Sequence, residues 1–239
     1  MATGSRPSPC RQIWDWIDMK VLISGAAGAL GEAVRTVFLQ QGAKVSCIAR
    51  SREGVDSAGA SWFACENLAD EAAARAAANR AIEAIGGIDA LVHVAGAFAW
   101  KKVEDSLVDD WRALYSANVE TTLVLVRACI PAMRSGASIV AVGAASAEPA
   151  GAGMAAYAAA KSGVARLIEA LAQELAPRGI RANAVLPSII DAPRNRADMP
   201  GVDPAQWTSP AAIADTISFL AQSGSRAISG ALIPVTHQL

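Results

Sequence analysis

Lys20-Val21-Leu22-Ile23-Ser24-Gly25-Ala26-Ala27-Gly28-Ala29-Leu30-Gly31, running on into EAVRTVFLQQ at 32–41, is the stretch that decides the fold. A short apolar run bounded by glycine reads as a buried strand, and the segment after the glycines has helical spacing of its apolar residues. Small residues between the two allow a tight turn and leave the first amides of the helix open to an anion, which the helix dipole favours. The spacing is GxxGxxG rather than GxGxxG, and a glycine cluster alone is weak evidence. Its place between strand and helix gives it weight, and Gly25, Gly28 and Gly31 are expected to floor a dinucleotide pyrophosphate site.

Outward from this turn, further apolar runs at 44–49, 61–65, 89–94, 138–143, 180–186 and 231–235 read as strands. Helical segments are expected at 29–41, 70–85, 107–134, 154–176 and 210–222. Strands alternating with helices signal parallel βαβ units, so the expected architecture is one Rossmann-type, doubly wound parallel sheet of about seven strands with helices on both faces. Residues 19–239 form that domain, and 1–18 read as an extension outside the core, with Met19 directly before the first strand as a candidate start. Segment 188–209 (SIIDAPRNRADMPGVDPAQWTS) breaks the pattern, is too long for an ordinary connection, and reads as a substrate lid. Ser209-Pro210 then supplies a cap and a first-turn proline for the next helix.

The 21 basic and 22 acidic side chains leave a net charge of -1, with no block of like charge to attract nucleic acid or an anionic membrane. No apolar stretch is long enough to span a bilayer. Cys10, Cys47, Cys65 and Cys129 form no CxxC pair, and Cys47 and Cys65 fall inside strand-like runs. They read as structural thiols in a reducing cytoplasm. Two histidines without ligand spacing predict no metal site.

The residue that reads the adenosine ribose belongs about 20 positions beyond the turn. Ala49 and Arg50 stand there. An acid would accept from a free 2'-hydroxyl and repel a 2'-phosphate, whereas Arg50, helped by Ser51 and Arg52, would attract it, which favours NADP(H) over NAD(H). The competing reading is a solvated arginine. Asn67 is placed either to edge the adenine or to serve a turn.

Tyr157 and Lys161, four apart in a predicted helix, share one face. A nearby ammonium is expected to lower the phenol's pKa and make it a usable proton donor to a carbonyl or imine. YxxxK alone is common; its place after the fifth strand is what singles it out.

Taken in order, SGAAGALG, the Val94–Gly96 turn, Asn118 in SANVETT, YAAAK and LPSIIDAP resemble the short-chain dehydrogenase/reductase family across residues 20–236. The resemblance implies Tyr157 as catalytic acid, Lys161 as orienter of the nicotinamide ribose, and Asn118 as support for a water relay to Lys161. It also implies cofactor contacts from Gly25, Ala27, Gly28, Leu30, Gly31, Arg50, Asn67, Leu68, Ala95, Gly96, Pro187 and Ile190. The alternative for Asn118 is a polar helix residue that satisfies backbone groups. A homodimer or homotetramer through 107–134 and 154–176 is implied as well.

Two departures qualify the resemblance. His93-Val94-Ala95-Gly96 stands where the family usually has Asn-Asn-Ala-Gly, and His93 reads as structural. The position thirteen before Tyr157, normally a serine that binds the substrate oxygen, is Ala144. Losing one such donor costs about 3 kcal/mol in the transition state. Ser146 is the nearest replacement. Dihydropteridine reductases resemble the chain in GALG, in YxxxK without that serine, and in the lid followed by Trp, which makes quinonoid dihydropterin one alternative substrate class; those enzymes usually favour NADH. Arg194, Arg196, Met199 and Trp207 are candidates for facing substrate or for packing the lid. The expected function is hydride transfer to a C=O or C=N group of a small molecule. The rival is a cofactor-binding regulatory or scaffold protein whose active site has decayed.

Overall fold

The computed structural model describes residues 17–236. Cys10 and all but Ile17 and Asp18 of the N-terminal extension therefore lie outside the described residues.

The sheet comprises β1 (Lys20–Ser24), β2 (Lys44–Ala49), β3 (Gly54–Val55), β4 (Ser61–Ala64), β5 (Ile88–His93), β6 (Met133–Val142), β7 (Arg181–Pro187) and β8 (Leu232–Val235). Its order is β3-β4-β2-β1-β5-β6-β7-β8, and every pair is parallel except β3 with β4. The chain winds outward from β1 through β2 to β4, then crosses back to β5 on the other side. Between the C-terminal ends of β1 and β5 the winding reverses, the position at which doubly wound sheets commonly bind ligands.

The helices are α1 (Ala29–Gln40), α2 (Glu71–Ile85), α3 (Val108–Tyr115), α4 (Thr121–Cys129), α5 (Ala155–Leu175), α6 (Pro193–Asp198) and α7 (Pro210–Ala221). Alternation along β1 assigns the two cores: Val21 and Ile23 bury with α1 and α7, while Leu22 buries on the opposite face with α2, α4 and α5. Buried alanines of α2 (Ala74, Ala77, Ala78, Ala81) let that helix lie close to the sheet, as the aliphatic composition demands.

Three details correct the sequence reading. The sheet has an eighth strand, because Gly54–Val55 folds back antiparallel onto β4 as a two-residue edge too short to show periodicity. The helix expected over 107–134 is divided: α3 and α4 are joined by a π-helical turn at Ser116–Glu120, and a 3-10 turn at Ile130–Ala132 closes the segment. Pro131 lacks the amide a helix needs, so the chain leaves helix there and β6 begins at Met133. Third, Cys65 lies one residue beyond β4, though buried as expected. No helix among the described residues is long and apolar enough to cross a membrane.

Candidate active site

The glycine turn closes the C-terminal end of β1. Gly25 has φ +69°, and a Cβ there would come within 2.5 Å of the Ala95 amide nitrogen. The Val94 amide donates to the Ser24 carbonyl at 3.1 Å, so this glycine lets the turns after β1 and β5 press together. A Cβ on Gly31 would reach 2.2 Å from the Gly25 carbonyl oxygen. Both glycines are demanded by the fold itself. Gly28 is different: its backbone is extended (φ -82°), and a Cβ there would meet protein only at 3.5 Å, an ordinary contact. Gly28 also heads α1 without any side-chain cap. Its missing side chain leaves open the approach to the first-turn amides, and the residues here fit a bound pyrophosphate. Ala27 is exposed on the rim of the turn, while Leu30 is buried beneath it.

At the adenosine end, Arg50 is exposed immediately after β2 and makes no ion pair among the described residues. Arg52 does not stand free beside it as expected. Its guanidinium lies 3.9 Å from the Trp62 ring centroid and 3.9 Å from the Asp56 carboxylate. Asp56 also accepts from Arg35 and from Trp62 Nε1, each at 2.9 Å. Arg52 is thus held by its stacking and by the acid, leaving Arg50 as the uncommitted cation. Asn67 accepts from the Ala69 amide through Oδ1 at 3.0 Å, which is a turn role, and Leu68 packs against the core beside it.

Asn118, Lys161 and Gly96 converge. A Cβ on Gly96 would fall 2.6 Å from Asn118 Oδ1 and 3.2 Å from Lys161 Nζ. Asn118 sits in the π turn and donates through Nδ2 to the Ala97 and Leu114 carbonyls, at 3.0 and 2.8 Å, while Oδ1 accepts from the Ala97 amide at 3.3 Å. The backbone-satisfying role weighed for it is therefore present, and it pins the loop after Gly96. Lys161 is buried and donates to the Val142 carbonyl at 2.9 Å.

Burial pushes Lys161 down to about 8 and Tyr157 up to about 12. The expectation that Lys161 lowers the tyrosine is corrected for the protein alone. Its ammonium is engaged by Val142 and lies 5.9 Å from the centroid of the Tyr157 ring, while desolvation penalises the phenolate. Tyr157 is consequently a fully protonated phenol at neutral pH.

His93 is structural, as its position implied. Nδ1 lies within hydrogen-bond distance of Ser24 Oγ at 2.7 Å, and Nε2 lies 3.4 Å from Thr121 Oγ1. Burial, reinforced by the Lys161 charge, pushes it down to about 3, so the ring is neutral. Among the described residues no group of three or more His, Cys, Asp or Glu side chains could hold a metal ion.

Ala144 is buried in the loop after β6. Ser146 is exposed in the turn that follows and has no hydrogen bond to Tyr157 or Lys161. The Pro187 carbonyl at the end of β7 accepts from the Ala145 amide at 2.9 Å, and Ile190 packs against the α1 and α7 core. The segment 188–209 is tied at its base, where Thr208 and Asp191 exchange backbone bonds with Ile189 and Thr208. Trp207, a candidate to stack on substrate, is 2% exposed and packs the segment instead. Arg196 makes a two-pronged pair with Asp191 at 2.6 and 2.7 Å, and Arg194 lies 3.6 Å from Asp198.

The sequence reading missed Phe98 and Trp100. Phe98 meets Tyr157 edge-on at 4.9 Å, and Trp100 covers Gly153, just before α5. Two aromatics directly after the Val94–Gly96 turn, in a chain with 5% aromatic residues, were the available signal.

Comparison with known proteins agrees with this geometry. D-threitol dehydrogenase of Mycolicibacterium smegmatis is 29% identical over 236 residues, covering 90% of each chain. The short chain dehydrogenase adrF of Penicillium rubens is 32% identical, covering 92% of this chain and 96% of its own. A short chain dehydrogenase from Burkholderia cenocepacia, solved in complex with NADP, superposes with a TM-score of 0.82 at 26% identity, over 93% of this chain and 98% of that one. The family model described as short chain dehydrogenase matches residues 19–201, the stretch that holds the glycine turn, the buried lysine and the tyrosine, and the chain belongs to that family of NAD(P)-dependent oxidoreductases.

Proposed function

We propose that the chain is an NADPH-dependent reductase acting on a C=O or C=N group of a small molecule, yielding an alcohol or an amine. The observation that carries this is the convergence of Asn118 Oδ1 and Lys161 Nζ over Gly96, beside a glycine turn open at Gly28. The bound nicotinamide supplies the hydride. The protein's part is to hold the proton at Tyr157 Oη, kept there by burial, and to release it to the developing oxyanion or amine nitrogen. Lys161 sets a positive charge where the phenol must give that proton up, and Asn118 keeps the loop after Gly96 in register. Arg50 favours NADP over NAD. Segment 188–209 is the lid, and Pro187 and Ile190 at its start would contact the cofactor.

Ala144 offers no hydroxyl to the substrate oxygen, which favours an already electron-poor acceptor such as a quinonoid dihydropterin or a conjugated diketone. Exposed Tyr115 and Leu123 on α3 and α4 support a homodimer or homotetramer, and the buried free thiols Cys47, Cys65 and Cys129 suit a reducing cytoplasm.

The test is NADPH consumption with quinonoid pterins, quinones, diketones and β-ketoacyl esters, comparing wild type with Tyr157→Phe. Turnover is expected to fall by about 10²–10⁴ while NADPH binding is retained. Wild-type turnover in the variant rejects Tyr157 as the acid. No consumption with any acceptor favours a cofactor-binding regulator instead.

A further inference from the structure

If Tyr157 and Lys161 carry out a reduction, the rim beside them bears on the kind of molecule they receive, and the inference rests on that reading. Phe98 and Trp100 follow Gly96 closely, yet they remain 50% and 58% exposed. Neither is loose. Phe98 stands edge-on to Tyr157, with centroids 4.9 Å apart and planes at 83°. Trp100 donates through Nε1 to the Ala152 carbonyl at 3.0 Å, and the Lys101 amide donates to the Gly153 carbonyl at 2.8 Å. A Cβ on Gly153 would strike the indole at 2.2–2.7 Å, so this glycine seats the ring. With its N–H engaged, the indole has only π surface and ring edge left to offer.

The charges nearby are already matched. Lys101 pairs with Asp110 at 2.7 Å and Lys102 with Glu104 at 3.4 Å, while both arginines of 188–209 are held by aspartates. Among the described residues these two segments contain no unpaired cation to grip a carboxylate or phosphate. Ala144 adds no hydroxyl. What the rim can supply is apolar contact and stacking, which suit a flat ring.

We infer that Phe98 and Trp100 form an aromatic rim that selects flat, uncharged, conjugated carbonyl or imine compounds over anionic or small aliphatic ones. The test measures NADPH oxidation by the full chain with 9,10-phenanthrenequinone and isatin, against 2,3-butanedione and acetoacetate, in wild type, Trp100→Leu and Phe98→Leu. Calorimetric binding of isatin to the NADP+-saturated protein gives a second readout. Each substitution is expected to raise KM for the flat diones, and to weaken isatin binding, about tenfold, with a smaller rise for 2,3-butanedione. Equal rises for flat and aliphatic compounds overturn the rim while the reductase reading stands. So does efficient reduction of acetoacetate, or a change of oligomeric state in Trp100→Leu, which makes Trp100 a subunit contact. A wild-type protein that reduces none of the four overturns the rim, and the reductase reading falls with it only when quinonoid pterins and β-ketoacyl esters also fail to consume NADPH.

Discussion

At the end of β1, Gly25 and Gly31 work through the side chains they lack, whereas on α5 Tyr157 and Lys161 work through what they carry into a buried place. The turn is a piece of backbone geometry: remove the Cβ atoms and two loops close together with helix amides facing outward. The pair is a piece of solvation: burial holds the phenol protonated at about 12 and drags the ammonium down to about 8. The difference shows that the first region fails sterically and the second electrostatically, so each should break in its own way.

Lys161→Met should break the second region most. It removes the charge but keeps the length, and kcat is expected to fall by about 10²–10³, comparable to the loss of one oxyanion-stabilising donor. Folding should respond in the opposite sense, because the variant no longer buries an ammonium. Between about pH 8 and 10.5 the unfolded wild type holds a Lys161 proton that the folded protein has released, so wild-type stability rises relative to the variant across that window. Urea unfolding of both proteins at several pH values reads this gap, and contributions from buried Cys47 and Cys129 cancel in the difference. A gap independent of pH would mean that Lys161 is not desolvated.

In the turn, Gly31→Ala forces a Cβ against the Gly25 carbonyl and should cost about 3 kcal/mol in denaturant unfolding. Gly28→Ala should leave stability within about 0.5 kcal/mol but weaken NADPH binding roughly tenfold. Equal loss of stability in both variants would make the whole turn structural. At the adenosine end, Arg50→Ala is expected to raise the Kd for NADPH about tenfold with little effect on NADH, as suits loss of one charge-assisted contact. Arg52→Ala should do less, since Trp62 and Asp56 already hold that side chain. Equal effects of Arg50→Ala on the two cofactors would remove the ground for preferring NADP.

These differences also explain what could be read from the sequence. The alternation of strands and helices was legible because the central strands are buried on both faces and the long helices on one, so apolar period follows position. β3 was not, since two edge residues carry no period, and the early start of β6 was hidden because Arg134, Ser135 and Gly136 are exposed and carry no apolar period. In the site, Tyr157 and Lys161 announced themselves by spacing, and Asn118 through the family resemblance. The commitments of Arg52, Arg196 and Trp207 did not, because each depends on a partner or a degree of burial that only the folded chain defines. The direction of the Tyr157 shift was misjudged for the same reason: spacing says which residues are neighbours, not how much water lies between them.

The π turn at Ser116–Glu120 gives the α3–α4 segment a phase. One extra residue accommodated in a turn amounts to a rotation of about 100° between the helix before it and the helix after it. Asn118 lies at that joint, so the half ending at Tyr115 and the half beginning at Thr121 are indexed independently, one to the loop after Gly96 and the other to α2 and the sheet. Length here is therefore information: a single-residue deletion would turn one half against its neighbours as a key is turned in a lock, whereas loss of a residue from an exposed loop would only shorten a connection.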